Sequence, residues 1–238
     1  MFNSWKSQKQ LFVGLLLFPA LDLFINDGIG LMMPQTSPAN KTIALLLTLF
    51  SILRFWIEIA VFIFFIRNYL KTCFINLKSI KNWLATLLCI VSAILYNIVI
   101  SVLHISVPAA QHSTENSVSA AASHISLLVL LAVTIILISP ILEEIIFQYF
   151  FQKIFFPIIF NKLNIKRGNL YALLASTLLF IGSHIINGNI TIKTIITGMI
   201  VYAPLLLLGI LYEKTDKNII YPIVAHIIIN FIGMISIT

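Results

Sequence analysis

Apolar residues run along this chain in long blocks, and short polar stretches separate them. The blocks cover 11–25, 43–66, 83–107, 125–160, 170–186, 191–211 and 219–237. A bilayer core about 30 Å thick is crossed by about 20 apolar residues in an α-helix, so each block reads as a membrane helix, the first a short one. The predicted fold is all-α, a polytopic transmembrane bundle of seven or eight helices. The count turns on the fourth block, which as one straight helix would be about 54 Å long. It must kink near Pro140, run along the interface, or divide into two spans.

The block at 11–25 follows Lys6 and Lys9 and has the outline of a signal-peptide core. Pro19, Asp22 and Asp27 interrupt or bound it, and no small-x-small cleavage site is evident. It is therefore read as a membrane segment, tilted or partly interfacial.

Composition agrees with this pattern. With 60% hydrophobic and 10% charged residues and a mean hydropathy of +1.03, the chain has too little polar surface to cover a soluble globule. A net charge of +7 would ordinarily raise nucleic acid as a partner. Here the cations lie in short loops, where they set orientation instead. Lys6 and Lys9 precede the first block, Arg67, Lys71, Lys78 and Lys81 follow the second, and Lys162, Lys166 and Arg167 follow the fourth. The 108–124 loop carries no Lys or Arg. This puts the N-terminus in the cytoplasm and that loop outside. A single crossing by the fourth block puts the C-terminus outside as well.

Cys73 in a basic loop and Cys89 within the third block are not placed to pair, and neither redox nor zinc-thiolate chemistry is signalled. No repeat or linker divides the chain, so one membrane domain over 1–238 is expected. The short, Ile- and Lys-rich chain points to a bacterial cell membrane.

Within the fourth block, Glu143 and Glu144 stand side by side. A carboxylate at the centre of a membrane helix costs about 2.5 to 3.5 kcal/mol on insertion scales, so two need a compensating role. The nearest cation on that stretch, Lys153, is more than two turns away. Three later side chains can converge on the pair: His184 in the fifth block, and His226 with Asn230 in the seventh. Four residues apart, His226 and Asn230 share one helix face, and Phe180 stands in the same relation to His184. Hydrolysis suits such a group. A carboxylate and a histidine can hold or deprotonate water, and a histidine and an amide can stabilise an oxyanion. Alternatively, Glu143, His184 and His226 could supply three ligands to a catalytic zinc and leave the fourth position to water.

Three motifs carry a family resemblance: Glu143-Glu144 within Pro140-Ile-Leu-Glu-Glu-Ile-Ile-Phe, Phe180-Ile-Gly-Ser-His184, and His226-Ile-Ile-Ile-Asn230. Together, over about 140–235, the chain resembles the CPBP or Abi intramembrane proteases related to the CAAX-processing enzyme of the Rce1 type. The resemblance implies a helical membrane protease in which Glu143 activates water with His184 as partner. His226 and Asn230 then form the oxyanion or metal-side group, and 140–235 is the catalytic core. Family members are usually described as metalloproteases, while a metal-free glutamate mechanism has also been proposed, so both zinc and its absence stay open. One position departs from the family pattern. An arginine is expected four residues after the second glutamate, and Gln148 stands there, which removes the compensating charge from Glu144.

Other polar residues have simpler roles. Arg54 and Glu58, four apart, are expected to pair within one helix. Asp22 and Asp27 lie within reach of water. His104, His112 and His124 flank or occupy the outer loop with Glu115. The Phe-rich stretch 147–160 and residues such as Trp56 and Trp83 need only packing or interfacial roles.

The leading expectation is an intramembrane endopeptidase acting on a membrane-associated peptide or protein, with the lipid bilayer and no nucleic acid as partner. Its alternative is a non-catalytic bacteriocin-immunity or partner-binding membrane protein of the same fold, which Gln148 favours. An ion-coupled transporter would more often carry internal repeats or broken-helix symmetry, which are not seen here.

Overall fold

The computed structural model describes residues 41–105, 125–185 and 191–235, and these are helical apart from short turns. The helices are α1 (Lys41–Ile75), α2 (Ile80–Val102), α3 (Ile125–Val133), α4 (Ser139–Glu144), α5 (Phe156–Lys162), α6 (Gly168–Ile185), α7 (Ile192–Val201), α8 (Leu205–Lys214) and α9 (Ile220–Ile235). Two π-helical segments, Thr134–Ile138 and Ile145–Phe155, join α3, α4 and α5. Contacts divide the chain into two compact units, Met1–Ser51 and Ile52–Thr238. The candidate site lies within the second.

Among the described residues three helices are long and apolar enough to cross a membrane: Ile80–Val102, Leu128–Lys162 and Gly168–Ile185. The pair α7 and α8, bent by 45°, makes a fourth if it counts as one broken span. These correspond to the blocks at 83–107, 125–160, 170–186 and 191–211. The bend falls at Pro204, which offers no N–H and biases Ala203 away from helical backbone. The last block forms α9, whose 16 residues extend about 24 Å, less than a full crossing. The block at 43–66 lies within α1. The block at 11–25, Asp22 and Asp27, and the outer loop with His112, Glu115 and His124 all lie outside the described residues. The side chain of Arg54 does too, although its expected partner Glu58 is buried.

The fourth block neither divides nor ends at Pro140. It continues as a single helix by widening. A proline inside an α-helix lacks the N–H for the carbonyl four residues back, and its ring crowds that carbonyl. Here each π segment stops two residues before a proline, at Ile138 before Pro140 and at Phe155 before Pro157. The last bonds of the wide turns span five residues: the Ser139 N–H donates to the Thr134 carbonyl, and the Phe156 N–H to the Phe151 carbonyl. π-Helical turns of this kind recur at functional sites.

Exposure follows lipid rather than water. On α2, Thr86, Cys89, Ile90 and Ala93 are buried at helical spacing, while Leu84, Leu87, Leu88, Val91, Leu95, Ile98 and Val99 are exposed. A helix with its apolar bulk outward belongs in a bilayer, and the protein is an integral membrane protein. Ala93, Ala172 and Ala225 are fully buried. Small residues at such points let helix backbones approach closely where no hydrophobic effect drives association. The rings of Phe147 and Phe180 stack at 4.2 Å between the second π segment and α6. Beside them the Ser176 hydroxyl donates to the Phe147 carbonyl at 2.5 Å. Ring and hydroxyl together fix α6 against the stretch that follows the glutamates.

Candidate active site

Glu144 is the last residue of α4, and its side chain is fully buried. Glu143, one position earlier, is only partly buried, because adjacent helical residues point about 100° apart. The Ser139 hydroxyl donates to Glu143 Oε1 at 2.6 Å. Serine four residues ahead thus fixes the carboxylate on its own helix.

The imidazole of His226, from α9, stands between the two carboxylates. Its Nδ1 is 2.9 Å from Glu144 Oε1, and its Nε2 is 3.6 Å from Glu143 Oε2. His226 itself is buried. Helices distant in sequence therefore bring three of the expected residues together. The arrangement gives the glutamates a hydrogen-bonding partner inside the bundle, which supplies the compensation their insertion requires.

His184 and Asn230 border this group without bonding to it. His184 Nδ1 lies 3.0 Å from the Phe180 carbonyl one turn back on α6. Its ring centre is 4.6 Å from that of Tyr202 and 5.3 Å from that of Phe180, and Phe180 is in turn 6.0 Å from His226. One buried ring thus stands between the two histidines. Asn230 Nδ2 donates to the Ile135 carbonyl at 3.4 Å. In five-residue bonding that carbonyl would be served by residue 140, a proline without an N–H, so the Asn230 amide supplies the missing donor.

Gln148 is buried and faces Glu144, one turn along. Even so, Glu144 Oε2 and Gln148 Oε1 have no hydrogen-bond partner. Each buried orphan costs about 1 to 3 kcal/mol. A guanidinium at 148 would bring donors and a positive charge to Glu144 and would carry no acceptor to leave orphaned, whereas the amide brings an oxygen that finds no partner.

Among the described residues no three His, Cys, Asp or Glu side chains are gathered closely enough to hold a metal ion. The set Glu143, His184 and His226 is not assembled around one point in this conformation. His104, at the end of α2 with φ of 50°, joins no such group either.

Several neighbours of the site carry no strong sequence signal. Ser139 could have been found from its four-residue spacing to Glu143. Tyr202 packs at a tilt against His184 and lies within electrostatic reach of Glu143, and Cys89 lies within reach of Glu144. Nothing in a lone tyrosine or cysteine of an apolar block marks it out. Gln152 donates to the Gly209 carbonyl at 3.1 Å and to Glu213 Oε1 at 3.0 Å.

No curated protein and no solved structure matches the chain. Residues 124–232 match the family model described as Rce1-like, type II CAAX prenyl endopeptidase Rce1-like. The matched stretch begins just before α3 and holds both glutamates, both site histidines and Asn230. Over these residues the chain is similar to the Rce1-like family of CAAX endopeptidases.

Proposed function

We propose that the protein is an intramembrane endopeptidase that hydrolyses a peptide bond in a membrane-associated peptide or protein. The observation carrying this reading is the His226 imidazole held between Glu143 and Glu144. Glu143 is the more exposed carboxylate, and it takes a proton from water as that water attacks the scissile carbonyl carbon. Glu144, buried behind, holds the imidazole through Nδ1 and leaves Nε2 turned toward Glu143. His184, whose Nδ1–H donates to its own helix, turns the Nε2 lone pair to the second hydrogen of the attacking water and holds that water for Glu143. When the C–N bond breaks, the proton on Glu143 passes to the leaving nitrogen. Tyr202, beside His184, closes that side of the site. The N-terminus lies in the cytoplasm of a bacterial cell membrane on this reading, and 140–235 forms the catalytic core of a single membrane domain.

The test is cleavage of membrane-inserted peptides by the purified, reconstituted protein, with and without a chelator. Cleavage that survives the chelator is expected from a glutamate-activated water. Loss with the chelator, restored by zinc, would replace that mechanism with a metal-assisted one using Glu143, His226 and a displaced His184. Absence of cleavage across a broad peptide library would remove the enzyme reading.

A second reading has its own support. Gln148, where the family pattern has arginine, leaves Glu144 Oε2 without a partner. That is the mark of a chain keeping the fold as a bacteriocin-immunity or partner-binding protein without turnover. Gln148→Arg separates the two readings. In the enzyme, the guanidinium donates to Glu144 Oε2, replaces the orphaned Gln148 oxygen, and raises cleavage rate or thermal stability. A clear fall in both counts against the proposal.

A further inference from the structure

The buried polar side chains do not stop at Glu144. Glu144, Gln148 and Gln152 follow one another at four-residue intervals along the same helix, with side chains 0%, 2% and 1% exposed. Gln152 then donates to Glu213 Oε1, and Glu213 pairs at 3.6 Å with Lys217. The side chains of this last pair are about a quarter exposed, at 26% and 27%. A polar line therefore runs from the fully buried carboxylate to the exposed end of α8.

Four atoms along this line are buried without a hydrogen-bond partner: Glu144 Oε2, Gln148 Oε1, Gln152 Oε1 and Thr177 Oγ1. The last two flank one spot. A Cβ placed on Gly209 would lie 3.2 Å from Gln152 Oε1 and 3.4 Å from Thr177 Oγ1. The absent side chain at 209 keeps the backbone of α8 close to both. Buried polar atoms are almost always satisfied, and where protein groups do not serve them, ordered water does, with about three hydrogen bonds per molecule.

We propose that Gln148, Gln152 and Thr177 line an internal hydration track that conducts water from the Glu213–Lys217 end of the bundle to Glu144. Each orphaned acceptor receives a hydrogen bond from a water molecule, and the Gln152 amide, fixed by Gly209 and Glu213, sets the mouth of the track. The purpose of the track rests on the hydrolytic reading, since every peptide bond cleaved consumes one water within a lipid-surrounded site. Its existence does not depend on that reading. Gln148, Gln152 and Thr177 act as positioning residues for water and are not themselves reacting groups.

Hydroxyl-radical footprinting at millisecond exposure tests this on the full chain in lipid nanodiscs, because radicals made from bound water label the side chains beside it. Leu173, whose Cδ1 crowds the same spot at Gly209, is expected to label several-fold more than Leu131, a leucine buried to the same degree. Gln152→Leu is expected to return Leu173 to the level of that reference. Labelling of Leu173 no greater than that of Leu131 in the wild type overturns the track, with no variant needed. Labelling unchanged by Gln152→Leu also overturns it. A wild type that cleaves peptides but shows no excess labelling removes the track alone. One that labels but never cleaves removes the hydrolytic reading and keeps the track.

Discussion

His226→Ala is expected to lower unfolding stability by about 3 to 5 kcal/mol, the cost of removing one partner from a buried charged pair. The imidazole serves two carboxylates at once, and its loss leaves the fully buried Glu144 with no hydrogen-bond partner at either oxygen. Among the described residues Asn230 is committed to the Ile135 carbonyl, and His184 bonds within its own helix. Chemical or detergent-driven unfolding of the wild type and variant reads the difference. A change below about 1 kcal/mol, the size of an exposed ion pair, would mean that the three side chains are not coupled as described.

Glu143→Gln is expected to act in the opposite manner, removing cleavage while sparing the fold. General-base catalysis is worth about 10²- to 10⁴-fold, and an amide cannot accept the proton. Stability should change little. Gln keeps the Oε1 acceptor for Ser139, and the substitution weakens only the more distant interaction, 3.6 Å from His226. Cleavage rate and thermal midpoint are measured on the same preparations. Retention of more than a tenth of wild-type cleavage, with the fold intact, would assign the base elsewhere.

The all-helical class was legible from the apolar blocks alone, because a bilayer forces backbone groups to bond within their own segment. The behaviour of the fourth block was legible only in part. Pro140 announces that an α-helix cannot pass unperturbed. Whether the chain kinks, divides or widens depends on what else can serve the freed carbonyls. Here the answer came from α9, ninety-five residues away, where the Asn230 amide reaches Ile135. The same distance effect limited the reading of the site. Spacing put His226 and Asn230 on one helix face, and both do face the fourth block. They meet different parts of it, His226 the glutamates and Asn230 the wide turn. Nor did spacing reveal which histidine lies against the carboxylates, since that is set by the stacking of Phe180 on Phe147 between helices. The 191–211 block reads as one apolar run, and only Pro204 within it hints at the bend. Gln152 and Glu213 left no trace in the pattern, because a buried glutamine is recognisable only once its partner, sixty-one positions on, is seen beside it.

The most direct test of the shared carboxylate–imidazole site is a double-mutant cycle of Glu144→Gln and His226→Gln, read by reversible unfolding in lipid or mild detergent. Side chains in direct contact should give a coupling energy between about 0.5 and 3 kcal/mol. Additive effects of the two substitutions, with no coupling beyond error, would contradict it.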